Sequence, residues 1–239
     1  MSTGFDIRTE LVRGVGDRAG AWQFIKEFVA HWMSPLTEAD GFSEAELAPI
    51  EDLLERRLPP AMREAYGLFG RRSDLTSRQD DFRPPTSLFV DDDEEIVTFR
   101  VENQGVVEWG VRISELVMPD PPVLVRSHLD DTWNVWLDRF SLACIELVLS
   151  ESLCGEVELI ESRCLTDTDL AGMEQLFTRL PIPECRWDPD VPGYRWFAGQ
   201  DVLLRVDPAN WLFVRARTPE ALDELRRSWP GDRVLAEDS

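Results

Sequence analysis

Histidine is almost missing from this chain, with only His31 and His128 among 239 residues, and that scarcity thins the routes to catalysis. A Ser-His-Asp relay needs three groups converging from separate elements, and no Gly-x-Ser-x-Gly elbow is present to hold its serine. The phosphate-cradling patterns Gly-x-x-x-x-Gly-Lys and Gly-x-Gly-x-x-Gly are missing as well. Arg13-Gly14-Val15-Gly16-Asp17 has two glycines but no strand before it. Lysine is scarcer still: Lys26 is the single one, and the other 24 basic residues are arginine. Four cysteines, Cys144, Cys154, Cys164 and Cys185, include no Cys-x-x-Cys pair and no neighbouring histidine, so no zinc spacing is written. With no secretory signal read at the N-terminus, they are expected to be reduced thiols in a cytoplasmic protein. The most apolar N-terminal run, Trp22 to Met33, is broken by Lys26, Glu27 and His31 and falls short of the ~20 residues a membrane span needs. Neither a cofactor nor a metal is expected, and catalysis is not.

Acid is what the chain has in excess. Forty-six carboxylates against 25 cations give a net charge of −21. Phosphate backbones are bound by clustered cations, so direct nucleic-acid binding is disfavoured. A basic protein is the natural counterpart, although the same charge also serves solubility. The 43% hydrophobic fraction, with nine Trp and twelve Phe, is enough to fill a core and excludes a wholly disordered chain.

Residues 1–16 mix glycine with isolated charges and read as a mobile or extended arm. From Asp17, the spacing of Ile25, Phe28, Val29 and Trp32 predicts an amphipathic helix running to Pro35. Ser43 and Glu46 form a capping box for a second helix with Leu47, Ile50, Leu53 and Leu54 as its stripe, and Pro49 offers an alternative start. Leu58-Pro59-Pro60 ends that element. A third helix then carries Met62, Ala65, Tyr66 and Phe69 to Gly70.

From Ser87 the period changes to two. Leu88–Val90, Ile96–Val101 and Val106–Ile113 read as strands, and Glu102-Asn103-Gln104-Gly105 supplies the turn of an antiparallel hairpin. Further strands are predicted at 123–125 and, as a meander, at 194–198, 202–206 and 210–215. Helices are predicted near 138–153, at 167–180 and after Thr218. The result is an α+β fold with a mixed, mainly antiparallel sheet and flanking helices. Its expected organisation is an arm at 1–16, a main domain at 17–180 and a meander-plus-helix at 181–239 that either forms a small unit or completes the same domain. Leu58, Pro59, Tyr66 and Trp109 are expected in the core.

Asp91-Asp92-Asp93-Glu94-Glu95 is the densest carboxylate run. It lacks the glycine and spaced terminal glutamate of a calcium loop, so it reads first as a solvated turn. With Glu102 and Asn103 it also makes a candidate rim for a basic protein. Glu102 and Asn103 have the plainer option of holding their own turn together. Trp109, Trp133, Trp136, Trp187, Trp196 and Trp211 fall in the β-rich regions, where most large rings fill a core and one or two can anchor a partner.

The segment Ile50-Glu51-Asp52-Leu53-Leu54, then Leu58-Pro59-Pro60-Ala61-Met62-Arg63-Glu64-Ala65-Tyr66 and Gly70, resembles the N-terminal signature of the SUKH superfamily, the Smi/Knr-like proteins. Phe99 to Val111, with Glu102-Asn103-Gln104-Gly105 and Trp109-Gly110, resembles that family's central hairpin, and Asp120-Pro121-Pro122-Val123 follows in the family's order. The resemblance covers about residues 43–153 and rests on the order of its motifs. It implies a non-catalytic protein-binding module. Bacterial members act as immunity proteins against a cognate toxin, often a nuclease, and fungal members as regulatory scaffolds. A hydrolase or small-ligand binder using His128 remains the third alternative.

Overall fold

The computed structural model describes residues 4–91, 95–128, 132–186 and 190–229. Its contacts divide the chain into two compact units, Arg13–Glu151 and a second built from Met1–Val12 with Ser152–Ser239. All strand pairings in both units are antiparallel, so the fold is α+β and the mixed element of the expectation is absent among the described residues.

The expected N-terminal arm is in fact largely a helix, α1 (Ile7–Gly14). Ile7 and Leu11, one turn apart, are both buried, a spacing too short to register as a period beside the glycines. α2 (Arg18–Trp32) is capped by Asp17, whose carboxylate accepts the amide of Gly20 at 2.8 Å. α3 (Glu44–Leu53) opens with the Ser43/Glu46 capping box and runs through Pro49. A proline here forfeits only its bond to the carbonyl of Ala45, and the capped first turn is already formed. Leu47 and Ile50 are buried, whereas Leu53 is 70% exposed because the helix ends there and its stripe finds no further partner. α4 (Pro60–Phe69) starts on proline, buries Met62, Ala65, Tyr66 and Phe69, and is followed by a one-turn α5 (Ser73–Thr76).

The sheet of the first unit contains β1 (Asp80–Phe82), β2 (Phe89–Asp91), β3 (Ile96–Glu102), β4 (Val107–Arg112), β5 (Val123–Ser127) and β6 (Thr132–Leu137). Its order is β1-β3-β4-β5-β6, with β2 also pairing β3. β1 and β2 thus share one edge of β3, β1 opposite 100–102 and β2 opposite 96–98. The β3–β4 turn falls on Glu102-Asn103-Gln104-Gly105, where Gly105 takes φ +71°, a value glycine adopts at no steric cost. α6 (Phe140–Ser152) closes this unit, and Phe140 meets Phe99 of the sheet edge to face at 4.9 Å. Leu58, Pro59, Tyr66 and Trp109 are all buried.

The second unit carries β7 (Ile160–Cys164), α7 (Asp167–Leu176), β8 (Thr178–Arg179), β9 (Arg195–Gly199), β10 (Val202–Asp207), β11 (Trp211–Ala216) and α8 (Pro219–Ser228). Strand order is β7-β11-β10-β9-β8. The expected boundary at Pro181 is displaced for two reasons. β7 pairs with β11 along its whole length, and Leu165 and Met173 share a core with Leu222, Leu225 and Trp229. The expected helix at 167–180 also stops earlier, because Thr178 and Arg179 pair with β9.

Candidate protein-binding surface

The four acidic-rim candidates among the described residues do not form one surface. Asp91 and Glu95 lie at one end of β3, and Glu102 and Asn103 lie at the other. Seven extended residues place those ends roughly 20 Å apart. Asp92, Asp93 and Glu94 lie outside the described residues.

Asp91 is already engaged. Its carboxylate lies 2.7 Å from Nη1 of Arg126, which gives its Nη2 to Glu108 at 2.7 Å and sets its guanidinium 4.8 Å from the Trp133 ring centroid. Burial works against the charge on Arg126, but Glu108 and Asp91 outweigh it and hold its pKa above the ordinary value. His128 Nε2 stands 3.5 Å from Glu108 at the edge of the same cluster. Glu102 is engaged too: its carboxylate accepts the amides of Gln104 at 2.8 Å and Val106 at 3.4 Å, so it holds the turn. Glu95 and Asn103 are exposed. The backbone carbonyl of Glu95, at φ +53°, accepts the amide of Ile113 at 2.8 Å.

The wider surface follows from where the arginines go. Arg72 holds Asp74 and Asp40, Arg71 holds Glu46, Arg217 holds Asp201, and Arg226 holds Glu161. Arg205 is fixed on Asp207 and packed among Tyr194 and Phe213, with ring centroids 4.6 and 5.1 Å away. Cations committed in this way leave the carboxylate surplus on the outside. In the first unit it includes exposed Glu38, Asp52, Glu55, Asp81 and Glu95.

A buried charge cluster was not legible as a site. Arg100 donates to Glu146 at 3.0 Å and to Asp80 at 2.5 Å, under the rings of Trp109 and Trp136 at 4.2 and 5.8 Å. Beside it, Glu151 accepts the amides of Arg78, Gln79 and Asp80 at 2.6 to 3.1 Å. Burial pushes the pKa of Glu151 up, against the opposing pull of Arg100 and those amides. Burial disfavours the charge on Arg100, but Asp80 and Glu146 more than offset it and raise its pKa. With Arg100 3% and Glu146 1% exposed, the cluster ties α6 to the sheet and offers no room to a substrate. The signal in the sequence was a single charge inside each of two apolar runs, Ile96–Val101 and Leu142–Leu149.

Among the described residues no group of three or more His, Cys, Asp or Glu is arranged to hold a metal ion, and no helix is long and apolar enough to cross a membrane. Cys144 is a buried thiol, and that burial pushes its pKa up. Trp109, Trp133, Trp136 and Trp196 are buried, Trp211 is half-buried, and Trp187 lies outside the described residues.

An open trough of about 650 Å³ lies between α2 and α4. Trp22 and Lys26 stand on one wall, and Pro60, Arg63, Glu64, Gly67 and Leu68 stand on the other. Compared with known proteins, the chain matches no family model, no curated protein and no solved structure.

Proposed function

We propose that this chain is a non-catalytic protein-binding module that neutralises a basic partner protein, in the manner of a toxin-immunity protein. The carrying observation is the fate of its charges: Arg72, Arg126, Arg205 and Arg217 are spent on pairs within the chain and on aromatic rings, while Glu38, Asp52, Glu55, Asp81 and Glu95 face solvent. Such a field raises the rate of encounter with a basic surface and suppresses acidic competitors. The order of α3, Leu58-Pro59, α4, Gly70 and the Glu102–Gly105 hairpin supports the reading through the SUKH resemblance. A nuclease toxin suits it well, since nucleases present cations to phosphate.

Capture of partners from the native host on the tagged full-length chain, followed by mass spectrometry, tests this. The expected result is one basic protein, bound with an association rate that falls as salt rises. Several endogenous partners would favour a regulatory scaffold instead. Failure to retain any protein, or turnover that is lost on changing His128, would overturn the reading.

A further inference from the structure

We propose that the trough between α2 and α4 receives an acidic, apolar segment of a partner protein, with a carboxylate of that segment seated on Lys26. This rests on the reading of the chain as a protein-binding module, and it adds a second contact of opposite sign to the acidic surface.

The charges inside the trough carry the inference. Its two carboxylates are taken: Glu44 by Arg63, and Glu64 by Arg18 at 3.0 Å and by the Trp22 indole at 2.5 Å. Its cations are less committed. Among the described residues Lys26 has no hydrogen-bond or ion-pair partner, and Arg57, with its side chain 79% exposed, reaches Glu51 only at 3.9 Å. On a chain of net charge −21, the uncommitted charges of this one depression are thus positive. The single lysine of the sequence stands there, a compact ammonium on a flexible stem.

The shape selects a chain segment over a small molecule. Small-ligand sites enclose about 70–90% of their ligand, whereas this trough is open along its length. It also continues past Lys26 into a second depression of about 510 Å³, lined by Pro35, Leu36 and Thr37, that shares Lys26, Gly67 and Leu68. Gly67 keeps its wall low, since a Cβ added there would meet only the Phe42 carbonyl, at 3.8 Å. Trp22, Leu58, Pro60 and Leu68 give apolar walls around the central cation. Glu38, exposed in the lining of this second depression, is a carboxylate that repels an acidic ligand there. Apolar side chains on both sides of one carboxylate match this order, as in helix-in-groove or extended-peptide recognition.

Selection of a random dodecapeptide library on the full-length protein, with fluorescence polarisation of the selected peptides, tests the proposal. Enriched peptides are expected to carry Asp or Glu between apolar residues. Lys26→Glu should weaken them by about tenfold or more, while Lys26→Arg keeps most of the affinity. Because Lys26 is exposed on α2, these variants are expected to melt with the parent. Reductive dimethylation with carbon-13 formaldehyde gives one lysine side-chain resonance, which should shift as a selected peptide is added. No enriched peptide, enriched peptides without a carboxylate, or unchanged binding to Lys26→Glu would each overturn the proposal. A native partner held equally by wild type and Lys26→Glu would sink the trough and leave the protein-binding reading standing. Peptides that bind through Lys26 without any native protein being captured would do the reverse.

Discussion

The Arg100 guanidinium stacks on Trp109, 4.2 Å from the ring centroid, with both side chains buried. Each therefore depends on the other: the ring shields a cation that two carboxylates require, and the cation occupies the space beside the ring. Arg100→Leu strands Asp80 and Glu146 in the interior and should cost roughly 3–5 kcal/mol in urea unfolding. Trp109→Ala should cost about as much, roughly 3–5 kcal/mol, by leaving a cavity under Trp136. A double-mutant cycle should show coupling of about 0.5–2 kcal/mol. Strict additivity would mean that the stacking contributes nothing.

Glu151 gives a pH signature. Its folded pKa is raised by burial, so between the ordinary carboxylate value and that raised value the folded chain holds a proton that the unfolded chain has released. Stability from this group therefore falls as pH rises through the window. Glu151→Gln mimics the protonated form and should remove that fall. Urea midpoints measured from about pH 4 to pH 7 should show wild type losing ground to the variant as pH rises. Parallel curves would contradict the assignment.

At the start of α3 the sign is opposite. The Ser43 amide, the Arg71 guanidinium and the Ser43 hydroxyl hold the Glu46 carboxyl down at about 2. Its contribution is complete above the ordinary carboxylate range and is lost as pH falls toward that value. A carboxyl-carbon NMR titration should find Glu46 among the most acidic glutamates, and Arg71→Gln should move its midpoint upward. A midpoint near 4.5, the ordinary value, would show that the capping box is not formed in solution.

Two hairpin-end carboxylates should separate by experiment. Glu102→Ala removes an acceptor from its own turn and should cost about 0.5–1.5 kcal/mol of stability. Glu95→Lys, at an exposed side chain, should leave stability within about 0.5 kcal/mol and slow association with a basic partner. Stopped-flow association with the captured partner checks the second. An unchanged rate at low salt would remove that end of β3 from the interface.

The strands that the residues announced were those long enough to repeat. In sequence, apolar and other residues alternate from Val97 to Glu102 in β3 and from Val107 to Arg112 in β4, and the turn between them needs a glycine. β1, with three residues, and β8, with two, carry no period at all and exist because a neighbour offers an edge. Arg100 sits in an otherwise apolar strand sequence, and its partners lie 20 and 46 residues away with no local pattern to join them. The acidic candidates failed to converge for a simple reason. Adjacent turns in sequence look close, but a seven-residue strand carries its two ends apart. Lys26 was visible as an oddity of composition, and its place in a trough depends on α2 meeting α4, which spacing alone does not show.

One unit draws on both ends of the chain, and this bears on the order of events at the ribosome. Residues 13–151 bring all six strands of their sheet within one continuous stretch, so that unit is complete in sequence while the rest is still being made. The other must wait. β7 emerges before β11, the strand it pairs with, and Ile7 and Leu11, made before residues 13–151, belong to a unit whose remaining residues begin at Ser152. A nascent chain arrested before Trp211 therefore displays the unpaired edge of β7, a feature chaperones recognise in unfinished proteins.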